Sequence, residues 1–103
     1  MIRQFDVVAS PLRRGTEERP YIVIVQCDRV QTLSRICAPL VAARFLRPQD
    51  RLNPPFTVQG LPCYFHPIEL ITLPVRALQN PVANLEADRD RIIAALDLVF
   101  TGI

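Results

Sequence analysis

The sequence predicts a mainly β (α+β) fold, in which an antiparallel sheet is closed by one C-terminal α-helix. Before Asn80, short runs of β-branched and aromatic residues alternate with charged or proline-containing segments, a pattern typical of strands. After Asn80, the apolar residues change to a helical spacing. Half of the 103 residues are hydrophobic and no repeat is present, so we expect one folded domain over 1–103.

The first half of the chain predicts three strands. Residues 4–9 form the first, and the charged segment 10–20, which is bracketed by prolines, is a loop. Residues 21–26 are almost continuously β-branched or aromatic, which indicates a buried strand. Residues 35–40 give the third strand.

The next part of the chain contains a hairpin. Residues 41–46 are compatible with a helical turn or a strand, and 47–55 is a loop with three prolines. The runs 56–58 and 61–65 flank Gln59-Gly60, a two-residue hairpin signal, and nearby prolines place this hairpin at a sheet edge. Residues 71–78 predict a further strand, interrupted by Pro74.

The C-terminal segment predicts an amphipathic helix. Asn80 followed by Pro81 is a favourable start, with an N-cap residue and proline at the first helical position. The apolar stripe consists of Leu85, Ile92, Ile93, Leu96, Val99 and Phe100.

Composition narrows the class of function. The net charge is only +2, and all twelve basic residues are arginines, so a clustered nucleic-acid face is not indicated. No apolar stretch approaches the length of a membrane span, and the first residues do not resemble a signal peptide, so a cytoplasmic protein without membrane contact is expected. Cys27, Cys37 and Cys63 form no CxxC pair and are expected to be buried, reduced thiols.

The motifs of common enzymes are missing from the sequence. There is no nucleophile elbow, no phosphate-binding glycine loop and no metal-ligand spacing, and the lone His66 is predicted to be structural. We therefore expect a protein that is not an enzyme and needs no cofactor or metal, although the missing motifs lower the prior for catalysis without eliminating it. Two features remain as candidate binding elements: the loop 10–20, and the apolar tip Gly102-Ile103, which either packs back onto the core or inserts into a partner.

The order of motifs along the whole chain resembles the CcdB toxins of bacterial toxin–antitoxin modules. No single motif is specific, but their order and spacing agree over the full length. The matching stretches are Gln4-Phe5-Asp6-Val7, Val23-Ile24-Val25-Gln26-Cys27-Asp28, Pro39-Leu40, Ala43-Arg44-Phe45-Leu46, Leu52-Asn53-Pro54, Leu73-Pro74-Val75, Val82-Ala83-Asn84-Leu85 and Leu98-Val99-Phe100-Thr101-Gly102-Ile103.

The resemblance implies an SH3-like antiparallel β-barrel with a small extra sheet and a C-terminal helix, assembled as a homodimer. It implies a toxin that binds the gyrase A protein of DNA gyrase and traps the gyrase–DNA cleavage complex. A CcdA-like antitoxin neutralises such a toxin, and the complex represses its own operon with DNA contacts from the antitoxin alone. The implied gyrase-binding residues are Asp97, Phe100, Thr101, Gly102 and Ile103, and the antitoxin-binding residues stay unassigned.

The sequence departs from the family pattern at four positions. Thr101 stands where the family has tryptophan, Cys27 where it has serine, Arg29 where it has an aliphatic residue and Asp97 where it has asparagine. A tryptophan anchor can dominate an interface, so the loss at position 101 motivates a second hypothesis. The chain would then be a degenerate toxin that binds an antitoxin without poisoning gyrase.

A third hypothesis is an endoribonuclease, because the same barrel resembles the MazF and Kid toxins. Such an enzyme needs a basic cleft with a general acid and base, and Arg35, Arg44 and Arg76 are the candidates to line it. The stretch around Gln26 to Asp28 resembles the gyrase-directed branch more closely.

Overall fold

Seven antiparallel strands form one hydrogen-bonded sheet in the computed structural model, which describes residues 1–103. The strands are β1 (Asp6–Ala9), β2 (Tyr21–Ile24), β3 (Ser34–Ala42), β4 (Pro55–Val58), β5 (Leu61–Phe65), β6 (Ile71–Pro74) and β7 (Ala83–Asn84), and helix α1 spans Arg89–Thr101. The strand order is β4-β5-β3-β2-β1-β7, with β6 also paired to β3. The sheet is nearly closed and barrel-like, which confirms the predicted SH3-like barrel with one C-terminal helix.

The long strand β3 joins two parts of the sheet. One edge pairs with β2, while the other edge pairs with β6 along Ser34 to Cys37 and with β5 along Leu40 to Ala42. The hairpin β4–β5 therefore extends the sheet past the end of β6. The small extra sheet that the resemblance implies consists of β4, β5 and the end of β3, and it is continuous with the barrel.

Both faces of the central strands are buried. Val7, Val23 and Ala38 belong to one apolar cluster, together with residues of β4, β5 and α1. Their neighbours along the strands, such as Val8 and Ile22, belong to a second cluster that includes Leu73 and Leu78. Because alternate side chains of a strand point to opposite faces, burial on both faces requires a continuous apolar run. This explains the uninterrupted run that predicted β2.

The hairpin prediction is confirmed. Gln59 and Gly60 connect β4 to β5 with φ values of +49° and +80°, and two consecutive left-handed residues suit the twist of a two-residue hairpin. β4 lies at one end of the sheet, as the prolines indicated.

Helix α1 begins later than predicted. Asn80 has φ +57° and does not cap a helix, and Ala83 and Asn84 instead pair with β1 as the edge strand β7. The buried carboxylate of Asp6 accepts a hydrogen bond from Asn84 Nδ2 at 2.9 Å, which fixes β7 in place. A short 3-10 helix, Glu86–Asp88, then leads into α1 at Arg89. Pairing with β1 satisfies the backbone hydrogen-bonding groups of residues 83–84. The prediction that the helix starts at Asn80 was therefore wrong.

Three further details differ from the sequence predictions. Residues 41–46 divide between the end of β3 and the 3-10 helix Ala43–Phe45. The predicted strand 71–78 ends at Pro74, and Val75–Ala77 forms a 3-10 turn. Cys37 and Cys63 are buried, but Cys27 is exposed in the connection after β2, so the expectation of three buried thiols was wrong there.

Candidate partner-binding site at the end of helix α1

The end of α1 leaves the core. Ile92 and Ala95 are fully buried against the barrel, and Ile93 and Leu96 are half-buried beside them. One and a half turns later, Phe100 has 68% of its surface exposed, and Ile103 has 77% exposed. The apolar stripe that anchors the helix therefore continues to Phe100 in solvent, and a second large apolar side chain, Ile103, is exposed just after the helix.

Gly102 ends the helix in a left-handed conformation. Its φ is +75°, and its backbone N–H donates to the carbonyl oxygen of Leu98 at 3.1 Å. This is the usual glycine stop of a helix, in which the lack of a Cβ makes the left-handed backbone accessible. The turn directs the chain away from the helix axis, so Ile103 does not continue the helical stripe.

Asp97 and Thr101 are exposed on the last turn of α1. The hydroxyl of Thr101 donates to the carbonyl oxygen of Asp97 at 2.7 Å, so its polar atom is used within the helix. Thr101 therefore adds little free hydrogen-bonding capacity to the tip. The five residues implied by the resemblance, Asp97 and Phe100 to Ile103, all lie within this short exposed segment.

Arg51 contacts the tip and was missed at the sequence level. Its guanidinium Nη2 donates to the carbonyl oxygen of Ile103 at 3.0 Å, across 52 positions in the chain. Arg51 sits in the loop before β4 with φ +67°, an uncommon conformation for arginine. One arginine in a polar loop is not distinctive in the sequence, and only the folded chain brings it to Ile103.

A cavity of about 430 Å³ lies beside α1 and shares Arg51 with the tip. The loop 48–55 forms one side, and Tyr64, Arg91 and Ala94 form the other. Arg91 joins the two sides, because it lies 4.7 Å from the centroid of the Phe56 ring and donates to the carbonyl oxygen of Pro55 at 3.3 Å. This contact fixes the loop that carries Arg51 against the helix.

An ion pair connects the loop 10–20 to the segment after β5. Arg19 binds Glu69 through two hydrogen bonds, from Nε to Oε1 at 2.7 Å and from Nη2 to Oε2 at 2.9 Å. The bond from Arg19 lowers the pKa of the Glu69 carboxyl below its usual value. The loop that the sequence marked as a possible binding element is therefore attached to the barrel through Arg19.

His66 follows β5 and contacts the loop before β4. Its ring is mostly buried, with Nδ1 3.4 Å from Asn53 Nδ2 and Nε2 3.8 Å from Glu69 Oε1. Asn53 is itself buried and donates to the carbonyl oxygen of Phe65 at 2.9 Å. These contacts connect the loop before β4 to the end of β5.

The three arginines that were candidates for a nucleic-acid cleft are not brought together. Arg44 pairs with Glu17 at 2.6 Å, whereas Arg35 and Arg76 line a separate groove. No group of three His, Cys, Asp or Glu side chains is placed to hold a metal ion, and none of the helices has the length and apolarity that a membrane crossing requires.

Comparison with known families gives a match over nearly the whole chain. The profile of the family described as CcdB protein matches residues 4–102. This chain belongs to the CcdB family. The matched region includes all seven strands and α1. None of the curated proteins matches the sequence.

Membership of this family gives the broad class of function. CcdB-family proteins are toxins of the CcdA/CcdB type of toxin–antitoxin module, and they poison gyrase without being enzymes themselves. Their general partners are gyrase and a CcdA-like antitoxin. The chain is thus a toxin-family protein whose exposed helix end is the candidate contact site.

Proposed function

We propose that this protein, as one cytoplasmic domain over 1–103, binds the gyrase A protein of DNA gyrase and traps the gyrase–DNA cleavage complex. The contact residues in this proposal are Asp97, Phe100, Thr101, Gly102 and Ile103. The observation that carries it is the exposure of two large apolar side chains at the end of the helix: Phe100 in its last turn and Ile103 just after it. Exposed apolar side chains that form a contiguous patch mark protein-interaction sites.

A trapping mechanism of this kind needs shape rather than catalysis. The tip would enter a pocket of gyrase that is accessible only in the cleaved state, and each buried apolar group would then favour that state. Arg51 and the Gly102 turn restrict the tip before binding, which lowers the conformational entropy lost on association.

The proposal includes a homodimer. Val30 and Ile36 are exposed, and Leu33 has 92% of its surface exposed, in the connection between β2 and β3 and at the start of β3. A second copy of the chain would cover this apolar segment. Sedimentation of the wild-type chain and of Leu33→Glu tests the idea: we expect a dimer and a monomer respectively, and equal mass for both would exclude this surface.

Neutralisation by a CcdA-like antitoxin, and repression of the operon by the complex through antitoxin–DNA contacts, complete the proposed function. No cofactor is required. Co-expression of the cognate antitoxin is then expected to restore growth.

Deletion of Gly102 and Ile103 tests the gyrase contact. Only two hydrogen bonds of the exposed end are lost, Gly102 to Leu98 and Arg51 to Ile103, so we expect the fold to survive. Growth arrest should disappear, with circular dichroism and thermal midpoint retained. Ile68→Ala, at another exposed isoleucine, is the matched control and should remain toxic. A truncated chain that still stops growth at equal expression would contradict the proposal.

The replacement of the family tryptophan by Thr101 favours a second candidate, a degenerate toxin that only binds its antitoxin. The Thr101 hydroxyl is occupied by Asp97, and its side chain is too small to fill a tryptophan pocket. Antitoxin binding without growth arrest by the full chain would support this candidate. Cleavage of RNA by the pure protein, lost on substitution of Arg35 or Arg76, would instead support an endoribonuclease.

A further inference from the structure

The cavity of about 430 Å³ beside α1 has a size typical of small-molecule sites. Its lining contains none of the five residues proposed to contact gyrase. It also contains none of the exposed apolar residues Val30, Leu33 and Ile36 that a second copy of the chain would cover. The cavity itself therefore has no role in the function described so far.

Hydrogen bonds hold the loop wall of this cavity in place. The backbone N–H of Asn53 donates to the carbonyl oxygen of Gln49 at 3.0 Å, and the N–H of Gln49 donates to Asn53 Oδ1 at 3.0 Å. Asn53 is itself anchored to the carbonyl oxygen of Phe65, and Arg91 holds Pro55 from the side of the helix. The walls are thus formed before a ligand arrives, which lowers the conformational entropy lost on binding.

Two neighbouring residues of the lining, Asp50 and Arg51, carry opposite charges and lack an ionic partner. Both are exposed, and neither lies within 4 Å of an oppositely charged side chain, including each other. Arg51 uses only Nη2, on the carbonyl oxygen of Ile103, so most of its N–H groups remain free. The other arginine of the lining, Arg91, is already paired with Asp88 at 3.0 Å. The cavity therefore offers one free cation and one free anion.

Rings and a methyl group form the apolar part of the lining. They belong to the half-buried Tyr64, to Pro48, Pro54 and Pro55, and to Ala94 on the helix. Small-molecule sites combine such apolar and aromatic surfaces with a few polar groups that fix the orientation of the ligand. The rings here suit a flat apolar group, and the two free charges suit a group that carries both a carboxylate and an ammonium.

We propose that this cavity binds a zwitterionic amino acid with a flat apolar side chain. The carboxylate of the ligand pairs with Arg51, because the guanidinium fork matches the two carboxylate oxygens, and the ammonium pairs with Asp50. The side chain of the ligand packs against Tyr64 and the prolines of the loop. A ligand with only one of the two charges leaves either Asp50 or Arg51 without a partner. Because this site is defined without gyrase or DNA, its test needs neither.

Nuclear magnetic resonance of the ¹⁵N-labelled full chain, titrated with phenylalanine, tests the proposal. We expect saturable shifts of the backbone amides of residues 49–53 and of Ala94, which surround the cavity. The compound 3-phenylpropionate lacks the ammonium, and 2-phenylethylamine lacks the carboxylate. Each should bind about tenfold more weakly than phenylalanine, as expected for the loss of one hydrogen bond to a charged group.

Single substitutions assign each charge of the ligand to its partner. Arg51→Gln should weaken phenylalanine about tenfold but leave 2-phenylethylamine within about twofold, because that compound makes no contact with the guanidinium. Asp50→Asn should weaken phenylalanine equally and leave 3-phenylpropionate within about twofold. Arg47→Gln and Asp90→Asn make the same charge changes at exposed residues outside the lining, and they should bind phenylalanine as the wild type does. Thermal midpoints verify that all four variants fold.

Four results would overturn the proposal. An absence of saturable shifts in residues 49–53 would mean that the cavity holds no such ligand, and saturable shifts confined to other residues would place the ligand elsewhere. Equal affinities for phenylalanine, 3-phenylpropionate and 2-phenylethylamine would remove the role of the paired charges. Equal losses in the cavity variants and in the control variants would mean that general surface charge attracts the amino acid.

Discussion

Ile103→Ala is the substitution that isolates the apolar contact of the tip. Burying an isoleucine side chain fully is worth about 1.5–3 kcal/mol. Ile103 has 77% of its surface still exposed, so a gyrase pocket that covers it would gain about 1–2 kcal/mol. Replacement by alanine removes most of that gain and should weaken binding to the gyrase A protein by about 5- to 30-fold.

Isothermal titration calorimetry with the purified gyrase A protein measures this change. Because the Ile103 side chain contributes little to the core, the thermal midpoint of the variant should equal that of the wild type. Ile68→Ala removes the same atoms from a side chain that has 59% of its surface exposed at another site, and it should bind gyrase unchanged. Equal affinity of Ile103→Ala and wild type would refute the role of the tip, as would a larger loss in Ile68→Ala.

Three other predictions rest on the local structure. Gly102→Ala meets no steric clash but forces a φ of +75° on an L-residue at a cost of about 1 kcal/mol, so calorimetry should show gyrase binding weakened severalfold. Iodoacetamide should alkylate Cys27 in the native protein and Cys37 only after unfolding, as followed by mass spectrometry, because burial raises the pKa of the Cys37 thiol to about 12. Because the pKa of Glu69 is lower in the folded than in the unfolded protein, its ionised carboxylate stabilises the fold at pH values above the unfolded pKa. Urea unfolding midpoints should show that this stabilisation is lost as the pH falls through the folded pKa. The midpoint of Glu69→Gln should not show this loss.

Local sequence signals predicted the strands well, because strand formation here depends on apolar runs and on turn residues. The run at 21–26 is apolar on both faces, and β2 is buried on both faces. Gln59 and Gly60 have the two left-handed conformations that a tight hairpin demands. In both cases the residues that form the element also contain the sequence pattern that predicts it.

The start of the helix could not be predicted in this way. Asn80 and Pro81 form a favourable helix start, but the backbone of Ala83 and Asn84 pairs with β1, and Asp6 holds Asn84 from the far end of the sequence. The competing contact spans 78 positions, so no window around Asn80 contains it. Tertiary pairing determined the boundary, not helix propensity.

The candidate site was only partly visible in the sequence. Phe100 to Ile103 are consecutive, so the resemblance to CcdB toxins could point to them together, and their exposure is the additional information from the structure. Arg51 lies 52 positions from Ile103 in the chain and meets it only after folding. Individual arginines carry no such signal, since most of them are simply solvated.

The most direct test of gyrase poisoning is a DNA cleavage assay with gyrase from the same organism, ATP and increasing amounts of this protein. Linear DNA released by detergent and protease, in amounts that rise with the protein and fall with Ile103→Ala, is the predicted result. Absence of linear DNA from a folded chain that still binds its antitoxin would contradict the proposed poisoning and leave the degenerate-toxin hypothesis in its place.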